Sequence, residues 1–500
     1  MSDPSALNVL FIASEADPFI KIGGLADVAG SLPRALKEIN RTVPPDATNF
    51  DIRLVIPYHP QLRWEEYSPQ LVAEYPIQTF DGEILARVFS VEADGLPVYF
   101  ISGDPIDQET GVYSADLEAD GYKYVFFSLA CLELTRRLGW KPDILHANDW
   151  HTAAAVYSLT LRRPTDPFFR HTTSLLTIHN LPYLGSMTPP ALEAFGLPPA
   201  DHSDLPSWAR QMALPLGLLS ADAIVAVSPG YAREILTEEF GSGLEAFLQN
   251  HSAKISGILN GLDTHKWNPT SDKDLTVNYS SSKLSERAAN KTFLQEEMGL
   301  EINPHLPLMA MVTRVDPQKG VDLAVAALRS MLQSKDTGHH PFQMVFLGMG
   351  NPVLENEVRQ LEQDYPQDVR ARILYNEPIS HHIYGGADIL LMPSRYEPCG
   401  LSQMIAMHYG CVPIARATGG LCDTIQDPVE SEQSTGFLFT PAKPEALSIA
   451  IQRALTMYMQ DPAGWQEIQV RGMQQDFSWS RSAQAYIKQY KHLSSERKKV

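Results

Sequence analysis

The sequence predicts an α/β protein built from two doubly wound, Rossmann-like domains, and three observations predict it. Short apolar runs alternate with amphipathic stretches along most of the chain, the alternation occurs in two separate series, and a polar stretch rich in Ser, Asp and Asn divides the series at residues 265–285. Alternation of this kind suits a parallel sheet covered by helices on both faces. A chain of 500 residues with 44% hydrophobic content is long enough to bury two cores.

The first series comprises apolar runs at 9–13, 53–56, 144–146, 174–178 and 223–227, each followed by a loop and often a helical pattern. Residues 86–101, with Gly95 at the centre, read as a hairpin attached to this first domain. The second series has runs at 308–312, 344–347, 372–375, 389–392 and 412–415. Residues 442–491 read as helical throughout. These readings place a first domain at 1–265 and a second from 266 onward.

Composition excludes several function classes. A formal net charge of −19 opposes a nucleic-acid partner, because such proteins present a basic face that exchanges counterions with phosphate. Four cysteines, at 131, 399, 411 and 422, form neither a dense disulfide framework nor the close Cys/His pairs of a zinc site. Residues 1–8 lack a basic region and a cleavage-like site, and no apolar run approaches the length of a membrane span. A cytoplasmic protein without membrane partners is expected.

Chemistry-bearing residues recur where a run ends and a helix begins. After the first run, Lys21-Ile22-Gly23-Gly24-Leu25-Ala26-Asp27-Val28 pairs a cation with two glycines that allow close backbone approach, ahead of a helical pattern at 28–37. An ordinary tight turn would use the same glycines. His146-Ala147-Asn148-Asp149-Trp150-His151 follows the apolar strand Ile144–Leu145, where Asp, Trp and His could bind sugar hydroxyls and a pyranose face. A helix cap by Asp149 with a buried Trp is the structural alternative. The spacing of His146 and His151 across a strand–helix turn suits a metal poorly. His179-Asn180 ends the next run.

In the second series, Arg314 and Lys319 flank the loop after 308–312, where two cations suit a leaving diphosphate. A solvated ion pair would look the same. Gly348 and Gly350 form a further turn. Arg395-Tyr396-Glu397-Pro398-Cys399-Gly400-Leu401 follows the run at 389–392, and a carboxylate such as Glu397 near a helix start stays ionised, fit to accept from sugar hydroxyls or to balance oxocarbenium charge. Thr418, Gly419 and Gly420 open the next close-approach turn. Asp272-Lys273-Asp274 matches the Asp-x-Asp pattern of metal-dependent transferases but lies in the polar stretch, so no metal is assigned.

Together these motifs resemble the bacterial and plant glycogen (starch) synthase family, over nearly the whole chain. The Lys21–Val28 turn, Asp149-Trp150-His151, His179-Asn180, Val227-Ser228-Pro229-Gly230-Tyr231-Ala232-Arg233-Glu234-Ile235, Gly257-Ile258-Leu259-Asn260-Gly261-Leu262-Asp263, the loop at 314–320 and the segment at 393–401 match in order. The resemblance implies a GT-B fold with two domains facing across a cleft, the second at 266–476, and a final helix at 477–500 returning to the first domain. It implies a hexosyltransferase that needs neither cofactor nor metal and moves glucose from ADP-glucose to the non-reducing end of an α-1,4-glucan, with retention of configuration. By motif, Lys21, Arg314 and Lys319 would bind the diphosphate, with Gly23, Gly24, Asp27, Thr418, Gly419 and Gly420 close by. Asp149, His179, Asn180 and Glu397 would surround the glucose, with Cys399, Gly400 and Leu401 beside it. No side chain is an evident nucleophile, so front-face attack assisted by the leaving phosphate is expected.

Two departures stand out. Ile405 occupies the position, eight after Glu397, where related transferases place a second glutamate. Met212-Ala213-Leu214-Pro215-Leu216 replaces a stretch in which the family carries an acceptor-side Asn and Lys. Three alternatives therefore stay open: a polymer acceptor, a short or phosphorylated acceptor, and a silent glucan-binding homologue. The nucleobase is likewise open, and no lysine-centred pyridoxal phosphate motif favours a phosphorylase.

Overall fold

A computed structural model of the chain describes residues 6–42, 49–62, 66–109, 111–333 and 342–497. Residues 1–5, which carry most of the N-terminal reading above, lie outside the described residues. The chain forms two compact units, Met1–Gly261 with Ser478–Val500, and Leu262–Phe477.

The first unit holds a nine-stranded sheet. Its strands are β1 Leu7–Ile12, β2 Phe50–Pro57, β3 Gln70–Thr79, β4 Gly82–Ala93, β5 Leu96–Ser102, β6 Ile144–Asn148, β7 Thr173–Ile178, β8 Ala223–Ala226 and β9 Ile255–Gly257, in the order β3-β4-β5-β2-β1-β6-β7-β8-β9. From β5 to β9 all neighbours pair in parallel. β6 and β7 are buried along their whole length, which is why they read as continuous apolar runs. β3 and β4 extend the sheet as an antiparallel edge. Asp94 and Gly95, both at positive φ (54° and 75°), make the two-residue turn between β4 and β5.

The second unit holds β10 Leu308–Val312, β11 Gln343–Leu347, β12 Val369–Arg372, β13 Ile389–Met392, β14 Val412–Arg416 and β15 Phe437–Phe439, in the order β12-β11-β10-β13-β14-β15. Every pairing is parallel. β12 lies three residues earlier than the expected run at 372–375, and Tyr375 is exposed in the loop beyond it. The apolar residues of that loop carry strand propensity without a ladder partner. The polar stretch 265–285 contains no strand or α-helix, yet it packs onto this unit: Asp272, Leu275 and Tyr279 are buried, and the Tyr279 hydroxyl donates to the Tyr409 carbonyl at 2.7 Å.

The helical region expected at 442–491 is three helices, Pro444–Gln460, Pro462–Met473 and Trp479–Arg497. The last belongs to the first unit, where Trp479, Ala483, Tyr486 and Tyr490 join the core formed by Val9, Phe11 and Phe50. The Tyr490 hydroxyl and His146 Nδ1 hydrogen-bond at 2.6 Å. Among the described residues no helix is long and apolar enough to cross a membrane.

Both sheets reverse their strand order once. In the first unit β1 leads outward to β2 on one side while β6 lies on the other, and in the second β10 is flanked by β11 and β13. Open α/β sheets bind ligands beyond the carboxyl ends of the strands at such switch points. The strand ends that matter are therefore those of β1, β6 and neighbouring β7 in one unit, and of β10 and β13 in the other.

Candidate active site

At the carboxyl end of β1 the chain turns through Ser14 and Glu15 toward the helix Gly24–Thr42. The Lys21 ammonium lies 2.5 Å from Asp27 Oδ1, so Asp27 holds the cation from within the first turn of the helix. Glu15, 1% exposed, accepts from the amides of Ile22 (2.5 Å) and Gly23 (3.1 Å). The Gly23 amide, expected to face an anionic ligand, thus has a protein carboxylate on it. Burial raises the Glu15 pKa to about 6, against the downward pull of these amides and of the Tyr113 hydroxyl. A Cβ on Gly24 would meet nothing within 4 Å, so the protein's own packing does not require glycine there.

Asp149 follows β6 with φ 55° and ψ −173°, a region of backbone space that is strained for any residue but glycine. Its side chain does not cap the helix Trp150–Arg162; Oδ1 accepts instead from the amides of His179 (2.7 Å) and Asn180 (3.3 Å) at the end of β7. Burial raises the Asp149 pKa to about 7 despite those two bonds, and the nearby Glu15 charge adds to the rise. Burial lowers His179 to about 3, so its imidazole is neutral. Asn148 Nδ2 donates to the Ile12 carbonyl at 3.0 Å, which orients the amide so that Oδ1, 2.9 Å from His179 Nε2, accepts from the ring. His179 Nδ1 is then the acceptor face of the imidazole. Asn180 Oδ1 is buried without a hydrogen-bond partner among the described residues. Three polar groups of different character, a high-pKa carboxylate, a neutral imidazole and an unsatisfied amide oxygen, converge where β6 and β7 end.

In the second unit, Asp316 caps the turn Pro317–Lys319 by accepting from the Lys319 amide at 3.1 Å. Gly320 follows at φ 67°, where a Cβ would stand 2.1 Å from the Pro393 carbonyl oxygen. This close approach brings the β10 loop against the end of β13. Lys319 Nζ consequently reaches both oxygens of Glu397, at 2.9 and 2.7 Å, and Ser394 Oγ donates to Oε2 at 2.9 Å. The Glu397 side chain is 7% exposed. Arg314 is 59% exposed and 3.3 Å from Asp316, a cation facing solvent beside a half-buried one. Arg395 does something different: it grips Asp322 with two bonds of 2.8 and 2.6 Å and ties the segment to the helix Val321–Gln333.

The remaining motif residues build the wall around Glu397. Gly420 donates its amide to the Glu397 carbonyl at 3.1 Å, and a Cβ there would lie 2.2 Å from the Cys399 carbonyl oxygen. Gly400 adopts φ 76°, and Gln403 Nε2 donates to the carbonyls of Cys399 (3.1 Å) and Gly400 (2.9 Å). Leu401 precedes the helix Ser402–His408, while Thr418 and Gly419 (φ 46°) open the helix Gly419–Thr424. Gly348 and Gly350 serve packing, since Cβ atoms there would strike the Thr313 and Val315 carbonyls at 1.7 and 2.4 Å.

Asp272, Asp274 and His381 place ligand atoms within 4.8 Å of one another. The Asp272 carboxylate is already engaged by His381 Nδ1 (2.7 Å) and the Tyr409 hydroxyl (2.5 Å). Burial pushes its pKa up, but these hydrogen bonds outweigh it and leave the carboxyl below its ordinary value. That arrangement pins the polar stretch to the unit.

Sequence reasoning passed over Glu15, Asn148, Tyr113 and Ser394. A carboxylate two residues after an apolar run was a usable signal for Glu15, whereas Tyr113 meets it from 98 residues away.

Residues 8–250 match the starch synthase catalytic domain family, and residues 295–467 match glycosyl transferases group 1. The glycogen synthase of Syntrophotalea carbinolica is 38% identical, covering 97% of this chain and 98% of that protein. That of Thermotoga maritima is also 38% identical, over 97% and 98%. The catalytic domain of starch synthase IV from Arabidopsis thaliana, solved with ADP and acarbose, superposes with a TM-score of 0.86 at 31% identity, covering 98% of this chain and all of that one. A sucrose-phosphate synthase from Thermosynechococcus elongatus, at 19% identity and TM-score 0.60, shares the fold. Two parallel-sheet units with these matches define a glycosyltransferase enzyme of GT-B fold. Near-complete coverage by relatives of one kind goes further: the chain belongs to the glycogen synthase family.

Proposed function

We propose that this enzyme transfers glucose from ADP-glucose to the 4-hydroxyl at the non-reducing end of an α-1,4-glucan, with retention of configuration, in the cytoplasm. The observation that carries the reading is the Lys319–Glu397 contact at the second switch point, with Ser394 fixing the carboxylate. The nucleotide follows the starch synthase solved with ADP.

In this reading residues 266–476 hold the nucleotide sugar and residues 1–265 the acceptor side. Arg314 and Lys319 take the diphosphate, joined by Lys21, and Gly419 and Gly420 allow its close approach. Glu397, held between Lys319 and Ser394, faces the positive charge that develops on the sugar ring as the glycosidic bond breaks. Asp149, His179 and Asn180 hold glucose hydroxyls. The neutral imidazole accepts through Nδ1, and the Asn180 oxygen gains a donor it lacks in the protein. Cys399, Gly400 and Leu401 bound the sugar. The departing phosphate oxygen removes the acceptor's proton on the same face, so no protein nucleophile is used.

A second acceptor class is favoured by one observation. Ala213, Leu214, Pro215 and Leu216 are buried in the helix Ala213–Ser220, which Gly217 seats against Ala153, so this stretch presents no polar side chain to a glucan. A short or phosphorylated oligosaccharide would then replace the polymer. Incubating the enzyme with ADP-glucose or UDP-glucose and glycogen, maltooligosaccharides or no acceptor decides the matter. Chain growth from ADP-glucose supports the synthase reading, nucleotide release without growth moves the function to another acceptor, and faster growth from UDP-glucose overturns the donor.

A further inference from the structure

The turn that carries Lys21 is held from inside by a carboxylate that none of the recognised motifs includes. Glu15 Oε2 accepts from the amides of Ile22 and Gly23, and Oε1 accepts from the Tyr113 hydroxyl at 2.9 Å. Tyr113 is itself fixed, its hydroxyl 3.1 Å from Ser14 Oγ, while the Ser14 carbonyl accepts from His59 Nε2 at 2.9 Å. A Cβ on Gly23 would lie 3.4 Å from Glu15 Oε1, so the peptide lies directly on the carboxylate.

We propose that Glu15 is a positioning residue for the donor: it sets the backbone of the Lys21–Gly24 turn so that the turn is already shaped for a diphosphate. The proposal rests on the reading that this turn meets the donor. Its physical basis is the cost of the alternatives. A buried carboxylate oxygen stripped of its donors bears a large desolvation penalty, so any other path of the turn must either abandon Glu15 Oε2 or find it two new donors. The observed path puts two amides on one carboxylate oxygen while Tyr113 holds the other. The ammonium of Lys21 is aimed by the same geometry, because Asp27, which holds it, sits in the first turn of the helix that the glycines open. Ordering achieved before the donor arrives is ordering the donor need not supply.

Glu15→Gln tests this in the full-length enzyme. Glutamine keeps the size but turns one oxygen into an NH2 group, which cannot accept from an amide or a phenol. The Michaelis constant for ADP-glucose should rise about tenfold, the size of a lost charge-assisted bond. The Michaelis constant for glycogen, turnover at saturating donor and the melting temperature should stay near the parent values. Calorimetric titration with ADP-glucose alone should weaken to the same degree. A parent-like Michaelis constant for ADP-glucose overturns the proposal. So does a loss of turnover that tracks the folded fraction, since that marks a purely structural residue. If Glu15→Gln does not fold, Tyr113→Phe replaces it, removing one donor while leaving the carboxylate on its amides; about a threefold rise in the same constant is expected, and none overturns the proposal. Failure of the underlying reading looks different, because the unsubstituted enzyme would then neither bind ADP-glucose nor extend a glucan.

Discussion

Asp149→Asn separates the charge of Asp149 from its shape. Asparagine retains the oxygen that accepts from the His179 and Asn180 amides, and it tolerates positive φ better than most residues. What it loses is the titration. Burial raises Asp149 from an ordinary 3.8 to about 7 in the folded protein. The folded pKa lies above the unfolded one, so the group's contribution to stability is fully present below pH 3.8 and is lost as pH rises through 7. On lowering the pH from 7.5 to 5.0, the folded carboxyl takes up its proton across about two pH units while the unfolded one stays ionised. At about 1.4 kcal/mol per unit this amounts to about 2.5 kcal/mol gained by the parent and unavailable to the variant. His179 and His59, lowered by burial to about 3 and about 4, act in the opposite direction, since their contribution is present above 6.5 and lost as pH falls. Both remain in the variant and cancel in the difference. Urea unfolding followed by tryptophan fluorescence is a suitable assay, because five of the seven tryptophans lie in the unit that carries Asp149. The stability of parent minus variant should grow by about 2.5 kcal/mol between pH 7.5 and 5.0. Parallel pH curves for the two proteins would refute the reasoning.

Other substitutions probe the second unit and the glycine turns. Glu397→Gln should cut turnover about 10²–10³-fold at unchanged secondary structure, and unchanged turnover in a glucan-elongation assay would remove the carboxylate from the chemistry. Lys319→Ala should weaken ADP binding by about tenfold or more as well as slow turnover, as isothermal titration would show; unaltered ADP affinity would leave Lys319 as a partner of Glu397 only. Gly420→Ala should destabilise by about 1–3 kcal/mol or prevent folding, because its Cβ would stand 2.2 Å from the Cys399 carbonyl. Gly24→Ala should fold like the parent, having open space around the new methyl, and should raise the ADP-glucose Michaelis constant if the diphosphate lies against that position.

The parallel strands were legible because burial on both faces forces continuous apolar sequence: β1, β2, β6, β7, β8, β10, β11, β13 and β14 all fall on runs visible in the chain. The elements that escaped have physical reasons. β9 and β15 are three residues long, too short to form a pattern. β3 alternates between exposed and buried positions at a sheet edge and is antiparallel, so it lacks the run that marks its neighbours. Ile373 and Leu374 follow β12 and drew the expected strand into a loop.

The site was legible only as a set of strand ends, and topology explains the limit. Alternating strands and helices do not encode strand order, so Arg314, Gly348, Glu397 and Thr418 look equivalent along the chain: each follows an apolar run. They separate once the sheet places β10 beside β13 and β11 beyond it. The β10 and β13 ends then bring Lys319 onto Glu397 across 78 residues of sequence. The β11 end folds back on the Thr313 and Val315 carbonyls, where Gly348 and Gly350 are needed for packing. Identical local signals thus acquire different roles from their position relative to the order reversal. The same holds in the first unit, where Glu15 ends β1 beside the reversal and Asp149 ends β6 across it, so that the buried Asp149 carboxyl feels the charge of Glu15 from the neighbouring strand. The raised pKa of Asp149 is therefore partly a consequence of strand order, which no local pattern in the sequence could have announced.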